Sequence, residues 1–354
     1  MQPAIIPFDR ASTKQGKPNA VIVMLVASPR LPQAVVAIRN IEERFNRRLK
    51  YPYVIFTEAN VEDDIKDKLD WITEGRLTWA GLPSDIWGLP SFLDRNKVEN
   101  SMNTIGHPAT IKYDWIWRLD SDIEFHCDVP YDPIARVRDA GALYSFIQIS
   151  NDARSVQPSL GSNISAFLAS HKHLLPPHAN HKFVWKDVDK ALDGKGGDED
   201  WTLLAFYVRL FVLDEIISQV YSEIKNNFEI SHRSLWDNPL YLAYFDFLDQ
   251  AGGFFYERWG DSLVHAHAVS MSLRPDQVVQ FTDMGYEHQK WDFECPQIDR
   301  CTCFSDPLKP LFDNRGYEFN LGGSMQVSGY SELSLDLPTH RYHQSWANVG
   351  YSLI

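Results

Sequence analysis

Residues 20–27 (AVIVMLVA) form an unbroken apolar run of the length a strand buried on both faces needs. Pro29 and Pro32 punctuate its end. Over residues 31–47 apolar side chains recur at Val35, Ile38, Ile41 and Phe45 with Glu and Arg between them, which predicts an amphipathic helix. Residues 53–56 (YVIF) read as a second buried strand. Strand, helix and strand in such close succession predict a βαβ unit and a parallel sheet.

Further along, residues 61–72 are acidic and predict a helix, 77–80 a short strand, and 92–102 a polar helix. Residues 115–119 (WIWRL) predict a strand that ends at Asp120-Ser121-Asp122, and 141–149 (GALYSFIQI) predict another. Residues 20–150 therefore read as a nucleotide-binding α/β half. Residues 237–253 predict a helix with Asp237 or Asn238 as its cap, Pro239 in its first turn and Gly252 closing it. The stretch 194–200 (GKGGDED) reads as a flexible loop. It matches a phosphate loop only loosely, because no strand precedes it and no Lys-Ser/Thr follows. From residue 307 onwards the chain is rich in Gly, Ser and Pro and has no strong period.

One stretch defies both periods. Residues 252–265 (GGFFYERWGDSLVH) mix three glycines, four aromatics, an Arg beside a Glu, and a His, so neither a simple strand nor a simple helix is expected. Aromatic faces stack on the apolar side of a pyranose, while Arg and carboxylates bind hydroxyls and phosphates, so this mixture suits a sugar site. A buried loop with one internal ion pair is the plainer alternative.

Composition narrows the choice. Apolar residues at 44% and aromatics at 13% suffice for a sizeable core. A net charge of −13 argues against a nucleic-acid partner, which needs a basic face, and favours a neutral, sugar-like acceptor. The opening residues 1–7 are too short and too Pro-broken for a secretory signal or anchor. The longest apolar run, 201–220, contains Arg209, Asp214 and Glu215 and reads as a buried or amphipathic helix, not a membrane span. Of the four cysteines, Cys295, Cys301 and Cys303 cluster and Cys127 stands apart. A zinc knuckle lacks a fourth ligand at a usual spacing; a disulfide cluster is the alternative and implies an oxidising compartment. The sequon Asn163-Ile164-Ser165 is compatible with secretion.

Three groups of residues carry candidate chemistry. Asp120 and Asp122 follow an apolar strand, and ligands of open α/β sheets bind at the carboxyl ends of strands. Two carboxylates so placed can hold a divalent cation beside a diphosphate; a solvated turn is the alternative. Glu229 stands between Phe228 and Ile230, where burial penalises its charge unless a cation or hydrogen-bond donors compensate. An ordinary half-buried strand with Glu229 facing water is the alternative. His288, His265 and His267 are either structural or able to complete a carboxylate metal site.

Taken in order, residues 43–47 (ERFNR), 113–133 (YDWIWRLDSDIEFHCDVPYDP), 227–230 (NFEI), 245–265, 283–288 (DMGYEH) and Cys295-Pro296 resemble the fungal GDP-mannose-dependent α-1,2-mannosyltransferases, glycosyltransferase family 15. The resemblance implies one GT-A-like α/β domain over residues 19–306, with a mixed central sheet flanked by helices. Residues 1–18 are then an N-terminal extension and 307–354 a divergent tail. It implies retaining transfer of mannose from GDP-mannose to the 2-hydroxyl of a mannoside in glycoprotein glycan or mannan synthesis, in the Golgi lumen. Asp120-Ser121-Asp122 stands where the family has Glu-Pro-Asp. By the same resemblance, Asp120, Asp122 and His288 hold Mn²⁺, and Glu229 lies near the anomeric carbon as candidate nucleophile. Asp261 lies by the acceptor, and Tyr256, Arg258 and Trp259, with Asp120, belong to the donor and acceptor wall.

The chain departs from the family in three places. A family block like Tyr-Gly-x-Ser-x-Ser-Tyr-Arg-His-Met-Cys-Arg, which supplies a Tyr and Arg residues to the sugar site, has no counterpart in residues 96–112 (NKVENSMNTIGHPATIK). Residues 201–220 look like extra apolar sequence. The family's N-terminal membrane anchor is not seen, and the tail after Cys303 matches poorly. The missing block favours a rival expectation, a non-catalytic relative that binds nucleotide or carbohydrate.

Overall fold

The computed structural model describes residues 16–58, 61–82, 110–153, 157–201, 220–224, 226–289, 292–294, 296, 298–302 and 314–315. The strands are β1 (Ala20–Leu25), β2 (Tyr53–Glu58), β3 (Leu77–Leu82), β4 (Trp115–Leu119), β5 (Ile123–Phe125), β6 (Tyr144–Phe146), β7 (Ile149–Ala153), β8 (Val220–Ile224), β9 (Phe228–His232), β10 (Val278–Gln280), β11 (Tyr286–His288), β12 (Asp292–Glu294) and β13 (Asn314–Arg315). The helices are α1 (Leu31–Ile41), α2 (Asp63–Thr73), α3 (Pro133–Asp139), α4 (Leu160–Ser170), α5 (Val188–Leu192), α6 (Pro239–Ala251), α7 (Gly253–Tyr256) and α8 (Asp261–Ser272). The predicted helix 92–102 and the interior of the apolar run 201–220 lie outside the described residues.

The main sheet has seven strands in the order β10-β6-β9-β4-β1-β2-β3. β4, β1, β2 and β3 are parallel neighbours, with Ile22 opposite both Trp117 and Tyr53. The βαβ expectation holds here, because the continuous apolar runs are buried on both faces. β9 enters antiparallel between β4 and β6 and makes the sheet mixed. A second sheet, β13-β12-β11-β5, leans off the end of β4, and β7 pairs with β8 as a separate ribbon. Thus the predicted strand 141–149 divides at Gln148 between β6 and the start of β7.

Two large apolar cores pack on the main sheet, and a smaller cluster from β1, β2, β3 and Ile116 of β4 covers another part of it. In one, Phe45 stacks on Trp117 with ring centroids 4.7 Å apart, among residues from β1, β2, β4 and α1. In the other, α4, α6 and α8 close over Tyr144, Trp185, Trp201 and Tyr244. The helix predicted over residues 31–47 changes pitch at Glu42–Asn46, a π-helical turn. That turn carries Glu42 inward, where Tyr53 and Arg76 each donate to it at 2.7 Å. In α6, the Asn238 side chain caps by accepting from the Tyr241 amide at 2.9 Å, and Gly252 at φ 75° closes it.

The aperiodic stretch 252–265 contains more helix than its pattern predicts. Residues 253–256 form a short helical turn, and α8 begins at Asp261. A helix buried all round has no polar face and so no period, and residues 262–264 and 266–271 of α8 are all buried. The glycine-rich stretch 194–200 packs against α4: the Gly196 amide donates to Ser165 Oγ at 2.9 Å, and the Gly197 amide to Asp200 at 2.9 Å. Ser165 is buried and donates to the Ala191 carbonyl, so the sequon of Asn163 is folded into α4. Cys127 and Cys301 form a disulfide, which realises the disulfide alternative for that pair; Cys295 and Cys303 lie outside the described residues.

Gly253 is required by close packing. A Cβ there would lie 2.0 Å from Cε2 and 2.2 Å from Cζ2 of Trp259. The indole cannot retreat cheaply, because its N–H donates to Glu257 Oε2 at 2.7 Å and Glu257 in turn accepts from Ser159 Oγ at 2.7 Å. Gly253→Ala is expected to cost about 3 kcal/mol, read as a lowered urea midpoint. The pair Gly253→Ala with Trp259→Leu should recover part of that loss; an unchanged midpoint in the single variant would contradict this packing.

Candidate active site

β4 ends at Leu119, and the Asp120 amide donates to the Asn227 carbonyl at 3.1 Å, so the chain turns through Asp120-Ser121-Asp122 into β5. β11 pairs with β5, and its register sets His288 opposite Ile123, directly beside Asp122. His288 Nε2 is 3.6 Å from Asp120 Oδ2 and 3.4 Å from Asp122 Oδ1. One ligand atom from each of the three residues lies within 4.8 Å of the others. Two hard carboxylate oxygens and one imidazole suit Mn²⁺ better than a thiolate-seeking ion. Burial is the largest single influence and acts to raise both aspartate pKa values, but the His288 imidazole together with Arg118 at Asp120, and with Arg30 and Gln289 at Asp122, outweighs it. Both carboxyls are thereby held below the usual carboxylate range. Arg30, between β1 and α1, approaches Asp122 Oδ2 at 3.3 Å.

A second charged set adjoins the first. Strand alternation sends Trp117 and Leu119 into the core and Arg118 and Asp120 to the opposite side. Arg118 Nη2 lies 2.7 Å from Asp261 Oδ2 and 3.6 Å from Asp120 Oδ1, and Arg118 faces Glu229 across the antiparallel β4–β9 pair. Burial opposes the guanidinium charge, but Asp261, Asp120 and Glu229 together raise its pKa above the ordinary value.

Glu229 is 2% exposed, which rules out the alternative of a half-buried strand with this carboxylate facing water. Its desolvation is compensated by donors. The Tyr144 hydroxyl donates to Oε2 at 3.1 Å, His265 Nδ1 lies 2.8 Å from Oε2, and the Ser231 hydroxyl donates to Oε1 at 3.2 Å. Burial and the Glu229 charge push the Tyr144 phenol pKa well up, so it stays a donor. Asn226 and Asn227, just before β9, tie the site together. Asn226 accepts from Ser262 Oγ at 2.9 Å at the start of α8, and Asn227 accepts from the Tyr286 hydroxyl at 2.9 Å on β11.

Asp261 opens α8 and reaches Arg118, but its neighbours in sequence diverge. Tyr256, 76% exposed, and Arg258 lie at the surface, whereas Trp259 is buried against Gly253. His265 and His267, read together from the sequence, part ways. His265 reaches Glu229, while His267 is buried with ring centroids 5.4 Å from Trp185 and 4.6 Å from Trp201. Sequence reasoning missed Arg118, Tyr144, Ser231 and Arg30 as site residues, and it raised His265 as a metal ligand, not as a partner of Glu229. Arg118 left a signal, a cation inside an otherwise apolar strand run; Tyr144 and Ser231 left none, being ordinary strand residues.

Comparison with known proteins follows the same lines. A family model described as Glycolipid 2-alpha-mannosyltransferase matches residues 1–107 and 103–311. The glycolipid 2-alpha-mannosyltransferase 2 of Candida albicans is 28% identical over 308 residues, 80% of this chain. The match spans 61% of that relative's length, less than two thirds. The alpha-1,2 mannosyltransferase KTR1 of Saccharomyces cerevisiae is 27% identical over 322 residues, 82% of this chain and 74% of that protein. Among solved structures, the Mn/GDP form of core-mannan synthase A from Aspergillus fumigatus superposes with a TM-score of 0.67 at 21% identity, covering 86% of this chain and 87% of that one. The mannosyltransferase Ktr4p of S. cerevisiae in complex with GDP gives a TM-score of 0.67 at 22% identity, covering 87% and 81%. The fold is accordingly the GT-A-like α/β arrangement, and the chain belongs to the glycolipid 2-alpha-mannosyltransferase family, glycosyltransferase family 15.

Proposed function

We propose that residues 19–306 form a retaining mannosyltransferase that moves mannose from GDP-mannose to the 2-hydroxyl of a mannoside, with Mn²⁺ held by Asp120, Asp122 and His288. The observation that carries this reading is Arg118. It joins the Asp120 end of the candidate cation cluster to Asp261 and to Glu229, so the residues we assign to nucleotide and to sugar share one side of the sheet. The Mn/GDP and GDP forms of the two solved relatives support the choice of donor and metal. When bound, the metal neutralises charge on the departing diphosphate.

The chain's own groups do the rest. Glu229, charge-compensated by three donors, stands at the anomeric carbon, and Asp261 orients the acceptor hydroxyl against Arg118. Asp120, Tyr256, Arg258 and Trp259 remain our assignment for the donor and acceptor wall, Trp259 through the packing that shapes it. Retention requires either a covalent mannosyl-Glu229 or attack from the same face steered by the leaving diphosphate. The reading includes a secretory, Golgi-lumen location, which the Cys127–Cys301 bridge supports. No described helix is long and apolar enough to cross a membrane.

Incubation with GDP-mannose, Mn²⁺ and α-methyl mannoside tests this directly, through release of GDP and formation of an α-linked dimannoside. His288→Ala is expected to weaken Mn²⁺ binding at least about tenfold, followed by the free-ion electron paramagnetic signal. Unchanged affinity would remove His288 from the ligand set.

One observation favours a second reading, a relative that binds nucleotide without efficient transfer. The family match breaks where its two segments meet, at residues 103–107, inside the stretch that lacks the Tyr- and Arg-bearing block. Metal-dependent GDP binding without dimannoside formation would select it. Restoring a family-type Ser-Tyr-Arg-His-Met-Cys-Arg segment between Met102 and Lys112 should then raise transfer, since that segment offsets desolvation of the sugar and diphosphate.

A further inference from the structure

Glu229 occupies one corner of a closed set of contacts. Arg118 and Glu229 are direct partners across β4 and β9. Asp261 and His265 are one turn apart on one face of α8. Asp261 meets Arg118 at 2.7 Å and His265 meets Glu229 at 2.8 Å, so the helix is pinned to the strand pair at two points. Trp236 closes the ring from the other side. Its indole lies against the His265 imidazole, centroids 4.6 Å apart, and its N–H donates to Ser231 Oγ at 2.9 Å. One buried tryptophan, 2% exposed, therefore holds both an imidazole and a hydroxyl that contact Glu229.

The two oxygens of Glu229 are treated unequally. Oε2 receives the Tyr144 hydroxyl at 3.1 Å and the His265 nitrogen at 2.8 Å. Oε1 has, among the described residues, the longer Ser231 bond at 3.2 Å, and that hydroxyl is already oriented by Trp236. A carboxylate accepts and does not donate, so His265 must carry its proton on Nδ1 toward Glu229.

We infer that His265 is a positioning residue for transfer: its Nδ1–H, set by Trp236, saturates Oε2 of Glu229 and leaves Oε1 as the oxygen offered to the anomeric carbon. The inference rests on the transferase reading above. Without the imidazole, Glu229 rotates among orientations and its less encumbered oxygen loses its fixed direction. Substrate binding through the metal and nucleotide is untouched, so the effect falls on the chemical step.

The test compares His265→Ala with His265→Asn, whose amide nitrogen reaches the place Nδ1 holds. The Ala variant should lose about 100-fold in kcat with KM for GDP-mannose within about threefold, and the Asn variant should recover at least about tenfold of that loss. An Ala variant keeping more than half of kcat overturns the inference. So does an Asn variant no better than Ala when both match the wild type in GDP affinity and thermal midpoint.

A readout independent of activity uses ¹⁵N-labelled histidine. The wild type should show His265 protonated at Nδ1, with the bonded proton signal lost in Glu229→Ala, which removes the acceptor. A His265 ring protonated at Nε2 alone overturns the inference whether or not the chain transfers mannose. An intact Nδ1–H signal in a wild type that transfers nothing instead overturns the transferase reading, and the positioning role falls with it.

Discussion

Glu229→Gln should lower mannosyl transfer by at least about a thousandfold and leave GDP affinity within about threefold of the wild type. The substitution preserves size and shape. It removes the one full negative charge that Tyr144, His265 and Ser231 surround. Positive charge develops at the sugar during transfer, so a neutral amide in this place loses interaction energy mainly in the transition state. Arg118 keeps Asp261 at 2.7 Å and Asp120 at 3.6 Å, so the candidate cation cluster is not released when the Glu229 charge goes. Single-turnover transfer and calorimetric GDP binding separate the two effects. A variant that retains most of its turnover would take Glu229 out of the mechanism; one that loses GDP affinity in step would make it a structural residue.

The second large effect concerns acid. Burial, with a smaller push from His181, lowers the His267 pKa from 6.5 to about 3. Between those values the unfolded chain carries a proton on His267 that the folded chain refuses. Unfolding then takes up protons, so stability is fully present above about pH 6.5 and is lost as pH falls toward 3. His181 and His232 are also depressed by burial and act in the same direction. From pH 6.5 to 4.5 the His267 contribution is roughly 2–3 kcal/mol. His267→Phe keeps a ring between Trp185 and Trp201 and cannot titrate, so it should flatten most of that slope in urea unfolding. Parallel wild-type and variant curves over this window would contradict the assignment.

What could be read in advance followed from burial and periodicity. β1, β2 and β4 announce themselves because parallel strands covered on both sides tolerate little polar sequence. α6 does so through Asn238, Pro239 and Gly252, each fixed by helix-end geometry. α8 was illegible for the opposite reason: a helix enclosed by protein shows no amphipathic face. The antiparallel insertion of β9 was equally hidden, since pairing between residues 115–119 and 228–232 leaves no local trace in either segment.

At the site, Asp120 and Asp122 are legible as carboxylates at the end of an apolar strand, whereas their grouping with His288 comes from the resemblance; the β5–β11 register supplies a geometric reason for the proximity of all three. Arg118 was passed over because its chemistry depends on three carboxylates from three different elements. Trp259 shows the converse. An aromatic in a sugar-like sequence lies buried against a glycine, and composition alone does not distinguish packing from stacking on a ligand.

The position of β9 also fixes how much of the chain must exist before the main sheet can be complete. β4 and β6 emerge early but are not neighbours; the slot between them stays open until residues 228–232 arrive. A nascent chain ending at residue 200 thus possesses both aspartates of the candidate cation cluster but none of Glu229, Asp261, His265 and His288. Each later residue is delivered by an element that also completes the fold: β9 fills the slot, α8 closes the second core, and β11 joins the second sheet. The full set of residues that the candidate site draws together is therefore present only once translation has passed residue 288.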